Sequence, residues 1–293
     1  MATDSKLLHS NMTPFTPEYC EQQYNARAAV PEHPQIIARW QSESAKIRAA
    51  GRCELDLEYG TSYLEKLDLF FPETASKALL VFIHGGYWRS LDKNDFAFLV
   101  PAFTQRGVTV ATINYGLAPQ LRIDDIVRQS RVAITWLAQN ARRYGTDAGK
   151  LYVAGHSAGG HLAAMMAATH WPSVATTLPV DLIKGAICIS GIYDLEPIRF
   201  ASVNQDVRLD TAAVKRLSPA LMPLPAAIPM VVAAGGDESD EFKRQNQLLL
   251  DRWSSACSMQ DIPLPGANHF TIVEELSKAE SPLHRATLAL MGV

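Results

Sequence analysis

A serine held between glycines, Gly155-His156-Ser157-Ala158-Gly159, follows the apolar run Leu151 to Ala154 and leads into a small-residue helix from Gly160 to Thr169. Strand, tight turn, helix is the setting in which a Gly-x-Ser-x-Gly serine is lifted out as a nucleophile. A strained turn of that kind tolerates only small neighbours, and Gly155, Ala158, Gly159 and Gly160 supply them. Upstream, Ala78 to Ile83 reads as a strand buried on both faces, and it ends in His84-Gly85-Gly86-Tyr87-Trp88. A glycine pair there lets backbone N–H groups approach a substrate. Gly85 and Gly86, with the N–H of Ala158 after the serine, are the candidate oxyanion donors.

A serine hydroxyl is a weak nucleophile at neutral pH and needs an imidazole within hydrogen-bond reach. His269 is the candidate base. It lies in the loop Leu264 to Phe270 after a strand read over Ser258 to Pro263, and it completes the chain order serine, acid, histidine. The acid falls in Gly235-Gly236-Asp237-Glu238-Ser239-Asp240, where Asp237 and Glu238 are adjacent candidates and Asp240 suits a helix N-cap. Of the other histidines, His84 and His156 brace the two loops, and His161 sits one helical turn after Ser157. His9, His33, His170 and His284 lie outside any motif. No His-Glu-x-x-His or Cys-x-x-Cys spacing is present, so neither a metal nor any other cofactor is expected.

These residues need a scaffold that brings distant loops to one edge. Strand candidates at Tyr63–Phe70, Ala78–Ile83, Val108–Asn114, Lys150–Ala154, Ile183–Ser190, Pro229–Ala234 and Ser258–Pro263 alternate with helical stretches. The helices are read over Asn94–Arg106, Asp124–Tyr144, Ala158–Thr169, Asp240–Ser255 and Thr271–Leu290. Such alternation predicts an α/β fold with a mostly parallel central sheet flanked by helices. Its site belongs at the carboxyl ends of the strands, where Gly85, Ser157 and His269 fall. Residues 1–50 are polar, Pro-punctuated and helical from His33, and read as an N-terminal extension. Residues 51–293 form the catalytic domain, and an excursion at about 195–228 joins the extension as a cap over the nucleophile.

Composition limits the partners. Apolar residues make up 47% and charged residues 19% of 293, and 27 basic against 30 acidic side chains give a formal charge of −3 without a block of one sign. Neither nucleic acid nor a membrane surface is suggested, and the partner expected is a small-molecule substrate; a homodimer is left open. Cys20, Cys53, Cys188 and Cys257 are widely spaced, Met1 to Lys6 lacks the apolar core of a leader, and no apolar run reaches spanning length. The expected compartment is the cytoplasm.

At this point the chain resembles the α/β-hydrolase superfamily, and within it the arylformamidase (kynurenine formamidase)-like branch related to hormone-sensitive-lipase-type esterases. The likeness rests on His84-Gly85-Gly86-Tyr87-Trp88, similar to the branch's His-Gly-Gly-x-Trp. It extends through Gln22-Gln23-Tyr24-Asn25, Leu67 to Phe70, Asn114 to Pro119, Ser190 to Leu195 and Glu241 to Gln245. The resemblance implies a cofactor-free serine hydrolase that cleaves a small aryl formamide such as N-formylkynurenine, or a short-chain ester, through an acyl-enzyme. It places the triad acid four residues before the Phe of Glu-Phe-x-Arg-Gln, at Glu238, with Asp237 as the alternative. It also puts Tyr87 and Trp88 in the substrate pocket, Trp88 walling the acyl side. A carboxylesterase without a formamidase role is the nearest other reading. A catalytically inactive binding protein is the reading from another class.

Overall fold

The computed structural model describes residues 15–293. The first fourteen residues of the extension read over 1–50, including His9 and the Met1 to Lys6 stretch, lie outside the described residues. Eight strands form one sheet in the order β1-β2-β4-β3-β5-β6-β7-β8. They are β1 (Cys53–Glu58), β2 (Lys66–Phe70), β3 (Ala78–Ile83), β4 (Val108–Ile113), β5 (Leu151–His156), β6 (Ile183–Ile189), β7 (Met230–Ala233) and β8 (Met259–Asp261). β1 pairs antiparallel with β2 and β2 antiparallel with β4, whereas β3 through β8 run parallel. The central strands β3 and β4 are buried at every residue, as their unbroken apolar runs require.

Helices cover both faces. Along the chain they are α1 (Pro17–Tyr24), α2 (Ala26–Ala29), α3 (His33–Ala50), α4 (Val100–Thr104), α5 (Ile123–Asn140), α6 (Ala158–Ala167), α7 (Asn204–Val207), α8 (Thr211–Leu217), α9 (Asp240–Trp253), α10 (Thr271–Glu274) and α11 (Pro282–Met291). One apolar core joins α5, α6 and α9 to one side of the sheet, through residues such as Ile126, Leu162 and Phe242. A second joins α3, α4 and α11 to the other, through Trp40, Phe103 and Leu283. α5 is a clear amphipathic case: Ile123, Ile126, Val127, Ile134 and Leu137 are buried at helical spacing and its solvent face is polar.

Several boundaries differ from the sequence expectation. β1 was not expected as a strand, although Cys53-Glu54-Leu55-Asp56-Leu57-Glu58 alternates apolar and polar residues with period two; it is an edge strand with one wet face. The strand read from Tyr63 begins only at Lys66, after a turn closed by Glu65. The helix read over Asn94–Arg106 is a 3₁₀ stretch, Lys93–Leu99, followed by α4. The last helix is two, α10 and α11, because Pro282 cannot continue a helix but suits its first turn, where Ser281 caps it. Asp240 opens α9 as its first residue, and Ser239 stands at the N-cap.

Candidate active site

Ser157 stands between β5 and α6 with φ 57° and ψ −121°, a conformation that side-chain-bearing residues rarely adopt. The turn holds because its surroundings leave no alternative. Ser157 N–H donates to the Ile189 carbonyl at 2.8 Å, tying the elbow to β6. A Cβ on Gly159 would come within 1.9 Å of the Ile83 carbonyl oxygen, so α6 can start this close to β3 only with glycine there.

The loop after β3 packs directly against the nucleophile. A Cβ on Gly85 would meet the His156 carbonyl oxygen at 2.8 Å and Ser157 Cβ at 3.1 Å, so the backbone of Gly85 and the elbow are in close approach. Gly86 has φ 104°, and a Cβ there would fall 2.0 Å from the Ser90 carbonyl oxygen. Among the described residues the N–H groups of Gly85, Gly86 and Ala158 donate to no other group of the chain, which leaves them available to an anionic oxygen. His84 braces this loop from beneath. Its ring nitrogens lie 2.8 Å from the Gly85 carbonyl and 3.0 Å from Asn114 Oδ1, and the ring stacks on Tyr115 with centroids 4.2 Å apart. Burial holds its pKa below the ordinary histidine value.

His269 is buried, and its Nε2 lies 3.0 Å from Ser157 Oγ. Its Nδ1 donates to Glu238 Oε2 at 2.8 Å. The carboxylate that meets the histidine is therefore that of Glu238, 6% exposed; Asp237 points to solvent while its N–H binds the Ala267 carbonyl. Glu238 Oε1 is held in turn by the Gly235 N–H at 2.7 Å and by the Ser190 hydroxyl. His156 Nε2 donates to the His269 carbonyl at 2.8 Å, fixing the loop rather than the proton path. Burial, with the neighbouring His269 adding to it, pushes the His156 pKa well below the ordinary value. Phe242 closes one side of the His269 ring at 4.3 Å between centroids.

Ser157 and His269 open into a narrow cavity of about 80 Å³ lined by Tyr24, Trp40, Tyr87 and Phe270 among others. Tyr87 is in this wall, its hydroxyl bound to the Tyr24 carbonyl. Trp88 is not. Consecutive left-handed residues, Tyr87 at φ 51° and Trp88 at φ 56°, turn successive side chains to different sides of the loop. Trp88 is fully buried in the core, edge-on to His161 with ring centroids 5.1 Å apart. Ser190 is not among the residues expected at the site, and neither are Glu21 and Arg27, which line the cavity from the first helices. Ser190 at the carboxyl end of β6, facing an acid after β7, was the one local signal for it. Among the described residues no group of three or more His, Cys, Asp or Glu could hold a metal ion, and no helix is long and apolar enough to cross a membrane.

The BD-FAE family model matches residues 67–209. The chain is 31% identical to a kynurenine formamidase of Salmo salar over 95% of its length and 94% of that protein's. It is 32% identical to a kynurenine formamidase of Danio rerio over 87% of its length and 88% of that protein's. Among solved structures, a candidate thioesterase from Silicibacter sp. TM1040 superposes with a TM-score of 0.83 at 30% identity, covering 93% of this chain and 98% of that one.

Proposed function

Since the chain belongs to the kynurenine formamidase family of α/β-hydrolases and is a hydrolase of formamides or esters, we propose that it cleaves a small aryl formamide of the N-formylkynurenine type through an acyl-enzyme on Ser157. The observation that carries this reading is the line Glu238–His269–Ser157, with 2.8 and 3.0 Å steps, ending in the cavity. In the proposed cycle Ser157 Oγ attacks the formyl carbon as its proton passes to His269 Nε2. Glu238 keeps His269 in the tautomer that can accept that proton and stabilises the resulting imidazolium. The N–H groups of Gly85, Gly86 and Ala158 receive the oxyanion. The tetrahedral species then expels the aryl amine, which takes the proton from His269. Water, deprotonated by His269, attacks the formyl-serine, and formate leaves.

We assign the cap to α1–α2 and to the excursion between β6 and β7. Support comes from the residues both contribute to the cavity wall, Tyr24 and Asn25 from one and Ala201 to Val203 from the other. α1 is tied down by the buried Glu241 on α9, which accepts from the Tyr24 hydroxyl at 2.7 Å and from Arg244 Nη2 at 2.8 Å. Four unpaired cysteines fit a reducing cytoplasm as the compartment.

The test is turnover of N-formylkynurenine and of p-nitrophenyl acetate by the purified protein and by Ser157→Ala. Both substrates should be hydrolysed by the first and neither by the second. Ester turnover without formamide turnover would make the protein a carboxylesterase, and no turnover of either would leave an inactive binding fold.

A further inference from the structure

Cleavage of a formamide needs one group that neither the triad nor the oxyanion donors supply. Once the carbonyl carbon is attacked, the amide nitrogen becomes pyramidal, and its lone pair must face His269 Nε2 to receive the proton. Its N–H then points elsewhere in a largely buried site. A hydrogen-bond acceptor placed there stabilises that arrangement in the transition state. An ester oxygen carries no hydrogen and gains nothing from it.

His156, the residue before the nucleophile, offers such an acceptor. It is 4% exposed and lines the same cavity as Ser157 and His269. Its Nε2 lies 2.8 Å from the His269 carbonyl, which can only accept, so the ring proton sits on Nε2 and Nδ1 carries a bare lone pair. Nδ1 has no hydrogen-bond partner among the described residues. It lies beside the oxyanion loop, because a Cβ on Gly85 would fall 3.4 Å from His156 Nδ1 and 3.1 Å from Ser157 Cβ. Burial first, and the neighbouring His269 second, hold the His156 pKa well below the ordinary value, so the lone pair is present at neutral pH. The nearby polar side chains are engaged, Ser157 and His269 with each other and the Tyr87 hydroxyl with the Tyr24 carbonyl.

We infer that His156 Nδ1 accepts the N–H of the scissile formamide and thereby favours formamides over esters of the same acyl group. Such a role, which rests on the proposed aryl formamidase reading, deepens it by naming the residue that separates amide from ester turnover. A buried acceptor left without a donor is costly, so a substrate that brings an N–H gains over one that brings an oxygen. One ring then has two tasks, bracing the His269 loop through Nε2 and reading the substrate through Nδ1.

Formanilide and phenyl formate differ only in N–H against O, and the ratio of their kcat/KM values on the intact protein tests this. In His156→Gln the side-chain amide can still donate to the His269 carbonyl, but nothing replaces Nδ1. In His156→Asn the side-chain oxygen stands in for Nδ1, and the bracing donor is lost. The formanilide to phenyl formate ratio should fall about tenfold in His156→Gln, as expected for one lost hydrogen bond to substrate, and stay within about threefold of the parent value in His156→Asn. A merely structural His156 would lower both substrates together in either variant. An unchanged ratio in His156→Gln, or a ratio that falls as far in His156→Asn, would overturn the inference. Failure of the formamidase reading would show separately, in the parent protein, as turnover of phenyl formate with none of formanilide or N-formylkynurenine.

Discussion

The hydroxyl of Ser190 donates to Oε1 of Glu238, the carboxylate oxygen opposite the one that His269 Nδ1 meets. Ser190 is buried at the end of β6 with φ 47°, a left-handed conformation that a serine adopts only when its surroundings impose it. Without that hydroxyl, Glu238 keeps only the Gly235 N–H on that oxygen. Ser190→Ala should lower kcat by about tenfold to a hundredfold with little change in KM, as loss of one buried charge-assisted hydrogen bond predicts. Ser190→Gly relieves the φ but also lacks the hydroxyl. Recovery of full activity in the glycine variant would assign Ser190 to the backbone instead.

Glu238 and Asp237 are neighbours with opposite environments, one buried against His269 and the other in solvent. Glu238→Gln should cut turnover of p-nitrophenyl acetate by about 10³–10⁴, because the amide stabilises neither the reactive tautomer nor the imidazolium. Asp237→Asn should stay within about twofold of the parent. The reverse ranking in folded, purified variants would move the role to Asp237.

Acyl length should matter steeply. Tyr24, Trp40, Tyr87 and Phe270 crowd the cavity that holds Ser157, so the gain of about 0.8 kcal/mol for each buried methylene should not be realised beyond the first few carbons. Among p-nitrophenyl esters, acetate or propionate should give the highest kcat/KM. An optimum at eight carbons or more would show that the cap opens widely.

Stability should fall on acidification through His161. Its Nε2 donates to the Leu217 carbonyl at 2.7 Å and its Nδ1 has no partner among the described residues, so burial favours the neutral ring and lowers its pKa to about 4. The unfolded chain takes up that proton near pH 6.5, whereas the folded state refuses it until about pH 4. The stabilisation is therefore complete above pH 6.5 and is lost as pH falls towards 4. Between pH 7 and pH 5 this group alone removes about 2 kcal/mol. Urea midpoints at the two pH values should differ less in His161→Leu than in the parent. An unchanged difference would show that other groups carry the dependence.

Lys93 is 2% exposed and its ammonium lies 2.7 Å from Asp68, which is completely buried, and 2.8 Å from Asp56. Lys93→Met leaves Asp68 with Arg48 as its remaining cation, and should destabilise the fold by about 3 kcal/mol, read as a lower urea midpoint at unchanged slope. A loss under about 0.5 kcal/mol would mean that Arg48 alone compensates Asp68.

The sequence by itself determined the parts whose requirements are local. The serine elbow needs small residues at fixed offsets, a both-faces-buried strand needs an unbroken apolar run, and a glycine pair is legible wherever backbone must approach a ligand. Gly155 to Gly159, Ala78 to Ile83 and Gly85-Gly86 could therefore be read directly, and strand–helix alternation gave the parallel sheet. Other features depend on which surfaces meet. Glu238 and Asp237 are adjacent and chemically alike, and only the packing of β7 beside β6 turns one toward His269 and the other to water. Trp88 follows Tyr87 in the chain, yet two successive left-handed residues put one in the core and the other in the cleft. Arg27 and Glu21 lie more than a hundred residues from Ser157, flanking Gln22-Gln23-Tyr24-Asn25, and nothing local marks them as cavity residues. Their place at the cavity comes from buried contacts such as Tyr24 with Glu241, 217 positions apart, which no local pattern encodes.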